Sequence, residues 1–399
     1  MSQGADDGPR LHAGLEARSL SRLQRLAGSF PSDQFRPPIR AAAKLLLADD
    51  VSSLQSGGDI ALELPRRTVW LRHRKTFIPT GPGSAAIDLF DVLPRPRAPA
   101  IASMVRKTVY KREPGEEQMG WLAEALFYLE AMPRLKIPGL VVPQLYGCRV
   151  ERDKVTMVIE YLEPAAAQLA RLRRIDFSAG VVGRLGAFTY TNNLFDADWI
   201  RPVTPRLPPE TLFALESLIA HCIHDTGEQV RIVAAIENLV GSPDVLGRIR
   251  ESAYPCLAHG DFHVRNVFVM AGADRDLAVI DWGKVFRGLI GNDAVLLLLP
   301  RYVVSTEWDE TGFSEAVEHV QQKVIAGALS VDPDLDPARI RLGLDIGLVF
   351  QAAVLAARNA AIWTQVSDRG PQLQRRNRIA SMLRHVADSS EQLLRRYAV

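Results

Sequence analysis

A polar hairpin inside a helical region constrains the fold of this chain more than any other feature. Beyond residue 164 the apolar residues recur mostly at helical spacing. The exceptions are two short β-rich runs, "NVFVM" and "LAVIDW", which the loop "AGADRD" separates. The polar cluster "HGDFHVRN" overlaps the start of the first run. We therefore expect a mostly helical region that carries one hairpin with a polar cluster at its beginning.

The residues before this region show a different pattern of apolar residues. Residues 61–163 predict about five strands and one helix: three strands, the apolar helical stripe of "GWLAEALFYLEAM", and two strands around a charged turn. Residues 1–60 contain two helix-like stretches. We expect an α+β protein with an N-terminal helical extension (1–60), a small β-rich lobe (61–163) and a larger helical lobe (164–399).

Charge and composition exclude some classes of partner and site. Forty-eight basic residues against 46 acidic ones leave a formal charge of +2, so no overall basic field favours nucleic acid or an anionic membrane. The three cysteines lie far apart and form no Cys-x-x-Cys pair, which argues against a disulfide framework and a thiolate zinc site. We recognise no signal peptide and no membrane span. These features predict a cytoplasmic protein.

Asp261, Asn266 and Asp281 bracket the hairpin and carry the oxygen atoms that phosphate chemistry needs. Four residues separate Asp261 from Asn266, and Asp281 ends the second β-rich run in "VIDWG". Mg²⁺ usually takes one or two oxygen ligands from protein, which Asn266 and Asp281 can supply. Asp261 then remains to accept the proton of an attacking hydroxyl. The spacing equals that of a kinase catalytic loop and favours phosphoryl transfer.

Two other interpretations of the cluster stay open. On an extended chain the side chains of His259, Asp261 and His263 point to one side, and together they could form a transition-metal site. Asp and Asn at strand ends also commonly close turns through bonds to the backbone. We favour the phosphate interpretation because the metal site leaves Asn266 and Asp281 without a role. His259 is then expected to orient the loop.

The small lobe must supply a cation for the phosphates. Lys107 lies in the strand "MVRKTVYK", and Glu124 on the following helix can anchor it. Other residues compete for these two positions: Arg106 and Lys111 for the lysine, Glu117 and Glu130 for the glutamate. The order of strand lysine, helix glutamate, two strands and catalytic loop favours Lys107 and Glu124.

Two further segments are candidates for nucleotide contacts. The turn "TGPGSA" contains Gly81 and Gly83, whose backbone amides could approach phosphates, although its spacing matches neither the P-loop nor the GxGxxG pattern. The segment "MVIEYLEP" is expected to join the two lobes. There the backbone carbonyl of Glu160 and the amide of Leu162 could bond the edge of an adenine.

With these residues assembled, the chain resembles the aminoglycoside phosphotransferase and choline kinase-like family, the small-molecule branch of the protein-kinase fold. The resemblance rests on "HGDFHVRN", "VIDWG", "VRKTV" and "EALFY". It implies a bilobal fold and ATP-dependent phosphate transfer to a hydroxyl group of an antibiotic, such as an aminoglycoside, or of a hydroxylated metabolite. On that analogy Asp261 is the catalytic base, Asn266 and Asp281 hold Mg²⁺, and Lys107 grips the phosphates of ATP.

The resemblance leaves the acceptor site open. Asp293, in "GLIGNDAVLL", matches a family aspartate that braces the catalytic loop or caps the next helix. The acidic loop with Glu307, Asp309 and Glu310 could line a pocket for a polycationic acceptor. Three tryptophans could contact a substrate or belong to the core: Trp199, Trp308 and Trp363.

A rival function belongs to another class of protein. A catalytically silent member of the same fold would bind nucleotide or a partner protein without turnover, and motifs alone do not distinguish it from a kinase. A protein-kinase activity is disfavoured because no "APE"-like element follows "DWG".

Overall fold

The computed structural model describes residues 8–48, 59–64, 67–77, 86–111, 120–165, 171–202, 209–263, 265–270, 276–304, 312–363 and 371–398. The chain divides into two compact units. The first unit comprises Met1–Lys136, Leu140–Ala166 and Val269–Val285, and the second comprises Ile137–Gly139, Ala167–Phe268 and Phe286–Val399. The three-part division at residues 60 and 163 stays a prediction.

A six-stranded antiparallel sheet forms the centre of the first unit. Its strands, in the spatial order β1-β2-β3-β4-β7-β6, are β1 (Asp59–Leu64), β2 (Arg67–Phe77), β3 (Ala86–Leu93), β4 (Ala102–Tyr110), β7 (Lys154–Glu160) and β6 (Leu145–Val150). The sequence predicted about five strands. The additional strand is β1, a partly exposed edge strand that follows the polar stretch "SSLQSGGD".

Within the described residues, three α-helices belong to the first unit. They are α1 (Gly8–Gly28), α2 (Pro37–Leu46) and α3 (Gly120–Leu126), and α3 continues through a π-helical turn at Phe127–Ala131. α2 covers one face of the sheet, where its buried Ala42 and Leu46 join Leu71, Phe90 and Met104 in a hydrophobic core. Removal of such apolar surface from water is the main term that holds this helix in place.

The predicted hairpin is present. It consists of β10 (Val267–Val269) and β11 (Leu277–Val279), with the N–H of Met270 donating to the carbonyl of Asp276 at 3.2 Å. The chain passes from the second unit to the first within β10. β11 also pairs in parallel with β5 (Leu140–Val141).

Helices dominate the second unit. They are α4 (Arg171–Thr191), α5 (Pro209–Cys222), α6 (Thr226–Val240), α7 (Pro243–Ser252), α8 (Asn292–Val304), α9 (Phe313–Leu329), α10 (Pro337–Trp363) and α11 (Pro371–Tyr397). A small sheet accompanies them, in the order β8 (Arg201–Pro202), β12 (Phe286–Leu289), β9 (Pro255–Ala258). The expected α+β class is confirmed, with a small antiparallel sheet region and a larger helical region. Within the described ranges, no helix has the length and hydropathy needed to cross a bilayer.

Candidate active site

Lys107 lies between two carboxylates in the first unit. It is in the middle of β4, opposite Ile87 of β3 and Met157 of β7. Its Nζ is 2.6 Å from Oε2 of Glu124 on α3 and 2.7 Å from Oδ1 of Asp281, just beyond β11. The structure therefore brings together three residues that the sequence had singled out separately, and the pairing of Lys107 with Asp281 was not predicted.

The competing candidates pair elsewhere. Because successive residues of a strand point to opposite faces, Arg106 extends away from Lys107 and donates from Nε to the carbonyl of Leu46 at the end of α2. The others form separate ion pairs: Lys111 with Glu16 at 2.7 Å and Glu130 with Arg22 at 2.5 Å. Glu117 lies outside the described residues.

Burial and charge set the protonation of this group. Burial alone would lower the pKa of Lys107, but the carboxylates of Glu124 and Asp281 outweigh it and hold that pKa above its ordinary value. Burial raises the pKa of Glu124, while Lys107 acts in the opposite direction. Lys107 therefore keeps its positive charge. The side chain of Asp281 is 46% exposed, so this carboxylate borders solvent, whereas the side chain of Lys107 is only 12% exposed.

The turn after Asp281 is anchored to α3. Asp281 has left-handed backbone angles, φ 64° and ψ 62°, and begins a 3₁₀ turn, Trp282–Lys284. The buried indole of Trp282 donates from Nε1 to the carbonyl of Val279 at 3.0 Å, and the backbone N–H of Trp282 donates to Glu124. Asp281 is thereby positioned by the same helix that carries Glu124.

The catalytic-loop candidates lie in the second unit, directly after β9. Asp293 near the start of α8 accepts the backbone N–H of His259 at 2.7 Å and that of Gly260 at 2.9 Å, one with each carboxylate oxygen. Gly260 has φ +79°, a conformation that suits glycine. Burial raises the pKa of Asp293 to about 6, although the two amide bonds act to lower it. The expectation that Asp293 braces this loop agrees with these contacts.

Asp261 is surrounded by bonds that fix the loop. The Nδ1 of the fully buried His259 accepts the backbone N–H of Asp261 at 3.1 Å. The Nδ2 of Asn266 donates to the Asp261 carbonyl at 3.0 Å and to its Oδ2 at 3.3 Å. The carboxylate of Asp261 is 21% exposed and lies 3.5 Å from Nε2 of His263. The geometry presents a constrained, solvent-reaching carboxylate beside an oriented amide.

The alternative metal site is not supported. The chain is not extended between His259 and His263, because the N–H of His263 turns back to the carbonyl of Asp261 at 2.8 Å. Both imidazoles also accept backbone amides with Nδ1, His263 from Arg265. Among the residues that the structure describes, no three His, Cys, Asp or Glu side chains are grouped to hold a metal ion.

The segment after β7 leaves a backbone donor open. The side chain of Glu160 accepts the backbone N–H of Gln144 at 3.2 Å, so it is occupied within the first unit. Leu162 is buried, and within the described ranges its N–H has no hydrogen-bond partner. This is the amide that the sequence proposed for an adenine edge.

The remaining candidates divide into two groups. Trp199 is 3% exposed and belongs to the core of the second unit. The others lie outside the described residues or have side chains that the structure does not describe: Gly81, Gly83, Glu307, Trp308, Asp309, Glu310 and Trp363.

Solved structures similar to this chain include several kinases. An amicoumacin kinase in complex with AMP-PNP and Ca²⁺ is 12% identical, with 86% of this chain and 95% of that one covered and a TM-score of 0.43. A choline kinase from Cryptosporidium parvum is 10% identical, covers 82% and 90%, and has a TM-score of 0.45. An aminoglycoside phosphotransferase from Streptomyces rimosus is 16% identical, covers 71% and 92%, and has a TM-score of 0.38.

The family comparison covers the segments that carry the candidate site. No curated protein matches the sequence. Residues 103–332, more than half of the chain, match the model of the phosphotransferase enzyme family, and this range includes Lys107, Glu124, Asp261, Asn266 and Asp281. The chain therefore belongs to the phosphotransferase enzyme family.

Proposed function

We propose that this protein is a small-molecule kinase, which transfers the γ-phosphate of ATP to a hydroxyl group of its acceptor, with Asp261 as catalytic base and Lys107 on the phosphates. The observation that carries the proposal is the Lys107 ammonium between Glu124 and the half-exposed Asp281. A permanently charged, positioned lysine is what a triphosphate needs, because phosphoryl transfer is catalysed mainly by positioning and charge neutralisation.

The chemistry of two side chains fits Mg²⁺. The Nδ2 of Asn266 is committed to Asp261, so its carbonyl oxygen is the atom presented to a ligand. Asp281 contributes a carboxylate at the border of solvent. Oxygen ligands of this kind and number are typical of magnesium sites that share their ion with phosphates. Bound Mg²⁺ would neutralise charge on the β- and γ-phosphates, and Asn266 and Asp281 would hold it.

Asp261 would accept the proton of the acceptor hydroxyl. The hydroxyl oxygen forms a bond to the γ-phosphorus, the bond from that phosphorus to the bridging oxygen breaks, and ADP leaves. The bonds from Asn266 and to His259 hold the carboxylate in one orientation for this step. Orientation matters because a base must lie within hydrogen-bond reach of the proton that it takes.

The adenine would be bound by backbone atoms after β7. The N–H of Leu162, which has no partner among the described residues, and the carbonyl of Glu160 are a donor and an acceptor two residues apart. The purine edge offers the complementary acceptor and donor. The acceptor molecule is expected to be a hydroxylated antibiotic or metabolite.

Purified protein with Mg²⁺ and ATP tests the proposal. We expect slow hydrolysis of ATP that a suitable hydroxyl acceptor accelerates, and we expect both activities to fall at least about a hundredfold in Asp261→Asn. The exposed Asp244→Asn is a control for loss of one negative charge. ATP binding without turnover for any acceptor would instead indicate a silent binder, and undiminished turnover in Asp261→Asn would refute the role of this residue.

A further inference from the structure

The second unit contains a pocket that the proposed roles do not use. It lies among α7, β12 and α10 and has a volume of about 140 Å³. One water molecule needs roughly a tenth of that space. The pocket is therefore large enough for a small polar group of a ligand together with the apolar atoms beside it.

Among the residues that the structure describes, two guanidinium groups line this pocket and no carboxylate does. Arg250 of α7 is half-buried, and no acidic side chain in the described part of the chain pairs with it. Burial and then the charge of Arg287 lower the pKa of Arg250. Arg287 itself contacts Asp196 at 3.3 Å and lies over the ring of Phe195. A partly desolvated cation beside a second cation is unfavourable unless an anion joins them.

The other polar groups of the pocket complement an anion. Gln351 of α10 has no hydrogen-bond partner in the described ranges, so its amide N–H groups are available. Asn292 is held in place by bonds from the Leu289 N–H and to the Gly343 carbonyl. The walls are apolar, which strengthens a charge-assisted hydrogen bond within the pocket.

The pocket is adjacent to the catalytic loop in the same unit. Phe286 lines it and pairs in the sheet with Ala258 of β9, which lies three positions before Asp261. Three residues of chain span at most about 10 Å even when fully extended, so Asp261 lies within that distance of Ala258. Asn292 also lines the pocket, and the next residue, Asp293, holds the loop amides. A molecule of metabolite size could extend from the pocket to Asp261.

We propose that this pocket binds an anionic group of the acceptor, a carboxylate or a phosphate, through Arg250, Arg287 and Gln351. The inference rests on the proposed kinase function and assigns its substrate class: a hydroxylated anion in place of a polycationic aminoglycoside. Arginine suits this role because its planar fork binds carboxylate and phosphate bidentately.

Inorganic phosphate is the first probe, used with the nucleotide site filled by AMP-PNP and Mg²⁺. We expect phosphate to raise the melting temperature of the wild type above a chloride control of equal ionic strength. Arg250→Gln should lose this stabilisation, yet be at least as stable without phosphate, because the repulsion with Arg287 is gone. Arg248→Gln on the exposed side of α7 is the matched control and should keep the response.

A second variant decides the matter if Arg250→Gln does not fold. Gln351→Glu places a carboxylate in the pocket, so it should stabilise the protein and abolish the response to phosphate. A phosphate response that persists in Arg250→Gln or Gln351→Glu, or that is absent from the wild type, overturns the proposal.

A panel of hydroxylated acceptors in matched charge forms then tests the substrate class: glucose, glucosamine, gluconate and glucose 6-phosphate. We expect the anionic forms to have kcat/KM values about tenfold or more above the neutral and cationic ones. The last two compounds distinguish a carboxylate from a phosphate. Preference for glucose or glucosamine would refute the anion pocket and leave the kinase function standing. If no acceptor supports turnover, the kinase proposal is in question, and the phosphate measurement still decides the pocket.

Discussion

The indole ring of Trp282 stacks face to face on the phenyl ring of Phe127, with ring centroids 4.0 Å apart and an angle of 6° between the planes. Both side chains are fully buried. Phe127 extends the helix that carries Glu124, and Trp282 follows Asp281. The stack therefore links the positions of two carboxylates that lie 174 and 17 residues away from Lys107 in sequence but contact it in space.

Removal of this stack should destabilise the protein. Trp282→Leu deletes a fully buried aromatic ring and its contact with Phe127, so we expect the free energy of unfolding to fall by about 3 kcal/mol. Trp282→Phe keeps an aromatic ring and should cost less than half of that. Urea denaturation measures both changes. Equal losses in the two variants would mean that the bond from Nε1 to Val279, which both variants lose, matters more than the stack.

Loss of Lys107 should affect activity and stability by separate mechanisms. Lys107→Met removes the cation for the phosphates, and we expect kcat/KM for ATP to fall by on the order of a hundredfold. It also leaves the buried Glu124 without its partner, which costs about 3 kcal/mol of stability. The double variant Lys107→Met/Glu124→Leu should regain stability, because no buried charge is left unpaired, and should stay inactive. Recovery of activity in the double variant would show that Lys107 acts only through the fold.

The pKa of Asp293 predicts a pH dependence of stability. Its folded pKa is about 6 against an ordinary value of 3.8, so between these values the folded state holds a proton that the unfolded state has lost. This group therefore lowers the free energy of unfolding as pH rises from about 4 to 6, by up to about 3 kcal/mol. Asp293→Asn should remove this slope and also lower activity, because an amide cannot accept both N–H groups of the loop.

Asp345 is the matched control for that experiment. Burial raises its pKa to about 6 as well, and its carboxylate accepts a bond from Gln321, far from the catalytic loop in sequence. In Asp345→Asn the free energy of unfolding, measured by chemical denaturation, should depend less on pH between about 4 and 6. This variant should keep full activity. A wild-type slope that neither variant changes would contradict the raised pKa values.

The N-terminal helix contacts the helix that carries Glu124. Arg22 of α1 pairs with Glu130, one and a half turns beyond Glu124, next to the fully buried Leu23. Arg22→Glu places two negative charges together. We expect the free energy of unfolding to fall by about 1 kcal/mol and the KM for ATP to rise. Arg22→Glu/Glu130→Arg should restore both. Arg25→Glu, exposed on the same helix, is the control, and a similar effect there would mean that the pair is not specific.

The candidate catalytic loop and the lysine strand could be recognised from the sequence because both depend on local order. Asp261 and Asn266 are five positions apart, and the strand, helix and two further strands around Lys107 follow one another in the chain. The pairing of Lys107 with Glu124 could be predicted from that order. Their roles in catalysis, like those of Asn266 and Asp281, stay predictions until the variants are measured.

Contacts between residues far apart in the chain could not be predicted from the sequence. Nothing in "VIDWG" indicates that the indole stacks on Phe127, because such a contact depends on how the hairpin packs in three dimensions. The strand β9 was not predicted because its four residues show no alternation of apolar and polar side chains. The strand β1 was not predicted because it is an edge strand and half exposed. The metal interpretation assumed that the chain is extended from His259 to His263. In the structure this segment forms turns, in which each imidazole accepts the backbone N–H two residues later.

The left-handed backbone at Asp281 means that a carboxylate at this position costs conformational energy. An L-residue pays about 1 kcal/mol there, whereas glycine would adopt φ 64° at no steric cost. If the steric strain of this backbone conformation alone decided the residue, glycine would be favoured. With aspartate at residue 281 the fold accepts this conformational cost, and a carboxylate oxygen lies 2.7 Å from the ammonium of Lys107.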